Sequence, residues 1–167
     1  MTAGGDTATL HAFDEAHLPE LMSWFPDRVS CQVWGGPEFR FPFTETSFRV
    51  DAKLASLATR MLVQGKGRLV AFGQYYLRVG HCHLGRLAVA PACRGGGLGT
   101  RLVLSLCAEG RALLGAGSCS LFVVPTNLRA KALYERLGFA ATAYPEPAPE
   151  LDPYIYMVTS ADGPRLG

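Results

Sequence analysis

The sequence predicts an α/β domain built on a mixed sheet with helices on its faces. Three observations predict it. Apolar residues recur at helical spacing near the N-terminus and again over Leu98–Leu114, whereas the middle of the chain is rich in Val, Leu, Phe and Tyr in runs of strand length. Strands come both as a meander, which favours antiparallel pairing, and separated by a helix, which favours parallel pairing. The chain has 167 residues, of which 49% are hydrophobic and 18% charged, enough for one domain with a proper core.

Residues 1–6 read as a frayed terminus, and Thr7–Ala12 as a short strand. Asp14 is a plausible N-cap for a helix carrying Leu18, Leu21, Met22 and Phe25, which Pro26-Asp27 stops. Asp27 caps a second short helix to Trp34, broken by Gly35-Gly36-Pro37. The aromatic stretch Phe39, Phe41, Phe43 follows, and Thr44 opens a third helix through Ala55. Thr59–Gln64 and Arg68–Val79 form a hairpin about Gly65-Lys66-Gly67, and His81–Ala90 is the next strand. Leu98–Leu114 is a long helix with Leu98, Leu102, Leu106 and Leu113 on one stripe, ended by Gly115–Gly117. Ser118–Val124 reads as a buried strand, parallel to His81–Ala90. Asn127–Leu137 is a helix with Gly138 after its end. Phe139–Ala143 and Tyr154–Thr159 are two last strands around the loop YPEPAPELDP.

A net charge of +2 without like-charge blocks argues against nucleic acid as a partner. Five cysteines without C-x-x-C spacing argue against a disulfide framework and against a structural zinc site, and fit reduced thiols in a cytoplasmic protein. MTAGGDTATL lacks the pattern of a signal peptide, and no run is apolar enough to span a membrane. His81 and His83 share a strand face but make only half a ligand set, so no metal is expected.

The stretch Arg94-Gly95-Gly96-Gly97-Leu98-Gly99-Thr100 stands directly before the long helix. A helix start leaves amide N–H groups unpaired and carries partial positive charge, and glycines let an anion approach them. A tight turn alone would need one or two glycines. The P-loop pattern is absent because no lysine follows, and the dinucleotide fingerprint fails at Thr100 and Leu102.

LAVAPACRGGGLGTRLV resembles the acetyl-CoA-binding motif of the GNAT N-acetyltransferases, whose pattern [RQ]-x-x-G-x-[GA] is met by Arg94, Gly97 and Gly99. NLRAKALYERLGFAATA is similar to the second motif of that family, supplying Asn127, Ala130, Tyr134, Gly138 and Phe139. The resemblance covers residues 69–143, within a single domain over 1–167. It implies the GNAT acyl-CoA N-acyltransferase fold, a central mixed twisted sheet with helices on both faces. It also implies acetyl-CoA as cosubstrate and direct attack on its thioester by a primary amine of a small molecule or a peptide N-terminus. By the same resemblance the pyrophosphate would rest on the amides of Gly95, Gly96, Gly97, Leu98, Gly99 and Thr100, and the pantetheine arm would pair with Leu87, Ala88 and Val89. Asn127 would contact the cofactor or simply cap its helix. Tyr134 would protonate the departing thiolate, a phenol near pKa ~10 facing a thiol near ~8.5. In the histone-acetylating branch a glutamate deprotonates the amine, and the matching position here is His83. Histidine suits that work at neutral pH, and the other reading is a partly exposed strand histidine with no role. A second branch uses a glutamate where this chain has Phe122, and Glu146 or Glu150 acting through water stay open as bases. Trp24, Trp34, Phe39, Phe41 and Phe43 could line the acceptor pocket or pack an N-terminal helical layer. A homodimer is compatible with this reading. The alternative function is a non-catalytic acyl-CoA-binding module serving as sensor or docking unit.

Overall fold

The computed structural model of the chain describes residues 6–160 and 162–165. The expected frayed terminus, residues 1–6, lies outside the described residues except for Asp6. The strands are β1 (Thr9–Ala12), β2 (Ala58–Gln64), β3 (Arg68–Arg78), β4 (His81–Val89), β5 (Cys119–Val123), β6 (Ala140–Ala141) and β7 (Ile155–Val158). The helices are α1 (Leu18–Ser23), α2 (Arg28–Gly35), α3 (Glu45–Asp51), α4 (Leu98–Leu114) and α5 (Leu128–Arg136). The strands form one mixed sheet in the order β1-β2-β3-β4-β5-β7-β6. As the intervening helix requires, β4 and β5 are parallel, with Cys82 opposite Cys119 and His83 opposite Ser120.

Local chemistry sets the ends of these elements. Asp14 accepts from the Ala16 amide and Asp27 from the Ser30 amide, each capping a helical start. Thr44 and Ser47 form a reciprocal capping box ahead of α3. That helix stops at Asp51, short of the expected Ala55, because Lys53 takes a left-handed φ of 52° that ends the α-helical path. The strand expected over Phe139–Ala143 shrinks to two residues at Ala140–Ala141, paired with Val158 and Met157 of β7.

By its contacts the chain falls into two compact units, Met1–Gln74 with Arg86–Leu102, and Tyr75–Gly85 with Val103–Gly167. The core of the first is aromatic. The Trp34 ring stacks on Phe25 at 4.2 Å and on Phe48 at 5.5 Å, and Phe39 and Phe43 meet Phe48 edge-on. Phe48 and Cys31 are fully buried, and Trp24 and Phe39 nearly so. The aromatic run before α3 thus packs the helical layer. In the second unit Leu106, Cys107, Cys119, Leu121 and Met157 are buried. A Cβ on Gly110 would come within 2.5 Å of the Cys82 sulfur, so α4 presses against β4 there with no room for a side chain. All five cysteines are free thiols. Among the described residues no helix is long and apolar enough to cross a membrane.

Phe48→Ala removes the ring on which three other aromatic rings close. It is expected to lower unfolding stability by about 3–5 kcal/mol in urea denaturation; a loss below about 1 kcal/mol would show that the layer collapses to fill the space.

Candidate active site

The cradle predicted from the glycines is built by a short path. Ala90 ends the strand with its amide donating to Val70 O at 2.9 Å, and Pro91–Cys93 make one 3₁₀ turn. Arg94 is extended, and Gly95 and Gly97 both take φ of 83°, a left-handed backbone that other residues adopt only with strain. The first bond of α4 is Arg101 N–H to Gly97 O at 3.1 Å. Among the described residues, no amide from Gly95 to Thr100 donates to a backbone carbonyl ahead of that bond. Arg94 to Gly97 are exposed, and Leu98, Gly99 and Thr100 half-buried. The loop therefore offers a row of free N–H groups at the positive end of a 17-residue helix, an arrangement suited to an oxyanion.

Leu87, Ala88 and Val89 lie on β4 just before this loop. Arg86, immediately ahead of them, has φ of 48°, so a left-handed residue interrupts the extended strand as in a bulge. Its carbonyl accepts the Trp34 indole N–H at 2.8 Å, and its guanidinium donates to Gln74 Oε1 at 3.0 Å. Gln74 in turn donates to Ala52 O and to the Thr59 hydroxyl. A conformation unfavourable for arginine is thus held by a buried hydrogen-bonded frame. Nothing in the sequence pattern signals it.

In the second unit, Asn127 caps α5, its Oδ1 accepting the Ala130 amide at 3.3 Å. Tyr134 lies on α5 with its ring edge-on to Phe139 at 5.9 Å. Burial pushes its phenol up to about 12, so it is a hydrogen-bond donor throughout the neutral range. His83 is 2% exposed. Its Nδ1 is hydrogen-bonded with Ser120 Oγ at 2.8 Å, and its ring lies 4.8 Å from that of Phe122 and 5.3 Å from that of Tyr76. Burial first, then the charges of Arg78 and His81, lower its pKa from 6.5 to about 3. The imidazole is therefore neutral at pH 7: open to a proton, but weakly basic. Glu146 and Glu150 are exposed on the loop before β7.

Sequence reasoning passes over the surroundings of His83. Tyr76 of β3 and Ser120 and Phe122 of β5 meet it, and Arg78 of β3, Tyr144 and Tyr156 of β7 gather about Phe122 in turn, from segments far apart in the chain. Arg78 Nε donates to the Tyr144 hydroxyl at 3.0 Å and Nη1 to the Tyr76 hydroxyl at 3.3 Å. The only hint available is alternation, which puts Tyr76 with Arg78, and Ser120 with Phe122, on a common face of each strand.

Residues 22–139 match the acetyltransferase (GNAT) family. The chain belongs to the GNAT acetyltransferase family. It is 38% identical over 145 residues to the mycothiol acetyltransferase of Salinispora tropica, a match covering 81% of this chain and 45% of that protein. The chain thus spans less than half the length of this curated GNAT relative. The fold is similar to that of AAC(6')-Ib in complex with ribostamycin and coenzyme A, at a TM-score of 0.72 and 24% identity over 92% of this chain and 93% of that one. It is also similar to the ribosomal-protein-S18-alanine N-acetyltransferase of Escherichia coli, at a TM-score of 0.60 and 23% identity over 96% of both chains.

The lowered pKa of His83 has a sign that can be measured. Between pH 3 and 6.5 the unfolded histidine binds a proton that the folded one refuses, so this stability is complete above pH 6.5 and is lost as pH falls towards 3. His83→Gln should flatten the stability curve between pH 7 and 4 by up to about 1.4 kcal/mol per pH unit, read by denaturant titration. An acid limb as steep in the variant as in the parent would assign the loss to other groups.

Proposed function

We propose that this chain is an acetyl-CoA-dependent N-acetyltransferase that works as one catalytic domain on a small-molecule amine or a peptide N-terminus. The observation that carries the reading is the row of unpaired amides over Gly95–Thr100 at the start of α4, in a chain of the GNAT family. In this reading those amides, with Arg94 beside them, take the coenzyme A diphosphate. Leu87–Val89 continue β4 beyond the short register at Cys82 and His83, and offer backbone groups to the amide-like pantetheine arm. Bound acetyl-CoA supplies the activated acetyl group. Asn127 serves chiefly as the cap of α5 and reaches the cofactor second.

The amine attacks the thioester carbonyl directly, its own proton is lost, and the thiolate leaves. Tyr134 stabilises that thiolate by donating its hydroxyl hydrogen. With a phenol near 12 and a thiol near ~8.5, complete proton transfer is uphill in the ligand-free protein. Tyr134 therefore acts as a hydrogen-bond donor at the moment of cleavage, and the proton lost by the amine balances the one that the departing thiolate takes up. His83 is the base of this reading. Its weak basicity suits an acceptor that is partly neutral before it arrives: an α-amine near ~7.7–8.0 is far easier to deprotonate than a lysine near ~10.4. That difference favours small α-amines and peptide N-termini over lysine side chains.

Calorimetry should detect coenzyme A binding, and acetyl-CoA should release free thiol with an α-amine acceptor. Gly97→Val puts a β-branched residue at φ of 83° and should weaken coenzyme A at least ~10-fold. Tyr134→Phe should slow turnover at least ~10-fold while leaving coenzyme A affinity nearly unchanged. Binding without thiol release from any amine would support the acyl-CoA-binding module instead. Absence of binding heat would remove the whole reading.

A further inference from the structure

Arg78 is clasped by aromatic rings, whereas three other arginines are held by carboxylates. Arg40 grips Asp51 through two nitrogens, Arg49 pairs with Glu15 and Glu45, and Arg165 pairs with Asp162. Arg78 is half-buried, yet forms no ion pair with any carboxylate among the described residues. Its guanidinium lies over the Phe122 ring at 5.0 Å and the Tyr144 ring at 5.3 Å. Two phenol oxygens, those of Tyr144 and Tyr76, occupy Nε and Nη1, and Nη2 has no partner among the described residues. Aromatic faces and phenols hold the fork in place but do not neutralise it. Tyr156 belongs to the same ring cluster. The Tyr156 hydroxyl is buried without a hydrogen bond of full geometry, and its residue stands opposite Phe122 in the β5–β7 register, with rings 5.4 Å apart.

The cluster reaches the base. Tyr76, which accepts from Arg78, lies 5.3 Å from the His83 ring, and Phe122, under Arg78, lies 4.8 Å from it. We propose that Arg78, clasped by Phe122 and Tyr144, binds an oxyanion on the acceptor, so that the preferred substrate is an amine that also carries a carboxylate or a phosphate. The inference rests on the acetyltransferase reading above and names the acceptor class for that site. A planar fork held from behind and open at Nη2 matches such an oxyanion, and an acceptor carrying only amines would meet repulsion there. The bound anion has a second effect. The charge of Arg78 is one cause of the weak basicity of His83, and an oxyanion on Arg78 offsets that charge just when an amine is present to be deprotonated.

The test uses matched acceptors with the full chain and acetyl-CoA: amino acids against their carboxamides, short peptides as free acids against C-terminal amides, and amino sugars against their phosphates. Thiol release should show kcat/KM at least ~10-fold higher for the anionic member of one series, and Arg78→Ala should cut that preference to within ~2-fold. The responding series says whether carboxylate or phosphate is the ligand. Arg78→Lys keeps the charge without the fork and should retain part of the preference. A second readout needs neither turnover nor coenzyme: the NMR resonance of Arg78 Nε–H should shift with the preferred acid and not with its neutral partner. Equal rates for both members of every pair, a preference that survives Arg78→Ala in folded protein, or a resonance unmoved by any anion would each overturn the proposal. Coenzyme A heat together with indifference to the anion would sink this inference alone. A resonance shift without coenzyme A heat would leave the anion site standing and sink the transferase.

Discussion

Among the described residues, the amides from Gly95 to Thr100 donate no backbone hydrogen bond of full geometry ahead of the first bond of α4. A folded chain seldom leaves so many consecutive N–H groups unpaired. Here the backbone cannot pair them, because two left-handed glycines carry the chain off the end of β4 and turn it straight into α4. Water can meet those groups in the free protein, and a diphosphate can meet them better, because the dipole of the long helix adds to each bond. The preceding strand, the 3₁₀ turn and the helix stripe are arranged so that this short segment stays open.

Much of the fold is legible from residue order. Helix caps at Asp14, Asp27, Thr44 and Asn127, the hairpin about Gly65-Lys66-Gly67, and the whole of Leu98–Leu114 depend on local chemistry, and local chemistry is written in adjacent residues. The parallel β4–β5 pair follows from the helix between them. The end of α3 at Asp51 depends instead on a backbone angle at Lys53, and β6 pairs with β7 only through Ala140 and Ala141. Neither has a signature in composition or period.

The candidate site divides along the same line. Arg94, Gly97 and Gly99 announce the cradle because a bare backbone needs glycines in sequence. Tyr134 and Asn127 can be placed because two helical turns separate them on α5. The setting of His83 is different. Its position on β4 is readable, but its burial among Tyr76, Phe122 and Ser120 comes from strands far apart in sequence. So does the depression of its basicity, since a sequence read alone supplies the ordinary histidine value. Aromatic residues illustrate the difficulty best. Those of the N-terminal stretch turn out to be core around Trp34 and Phe48, whereas those of β3, β5 and β7 surround charged and polar groups. Composition treats the two groups alike.

The left-handed Arg86 also limits how this enzyme family member can vary. Trp34 and Gln74 fix that residue from both its carbonyl and its side chain, which divides β4 into a stretch carrying His83 and a stretch carrying Leu87–Val89. Each stretch has its own fixed count of residues to the pivot. Side chains on either side can therefore be exchanged with some freedom, yet a one-residue insertion or deletion would turn every side chain of one stretch to the opposite face of the sheet. Diversity in this strand should come by substitution, and changes in length should be confined to the surface loops such as the one between Tyr144 and Tyr154.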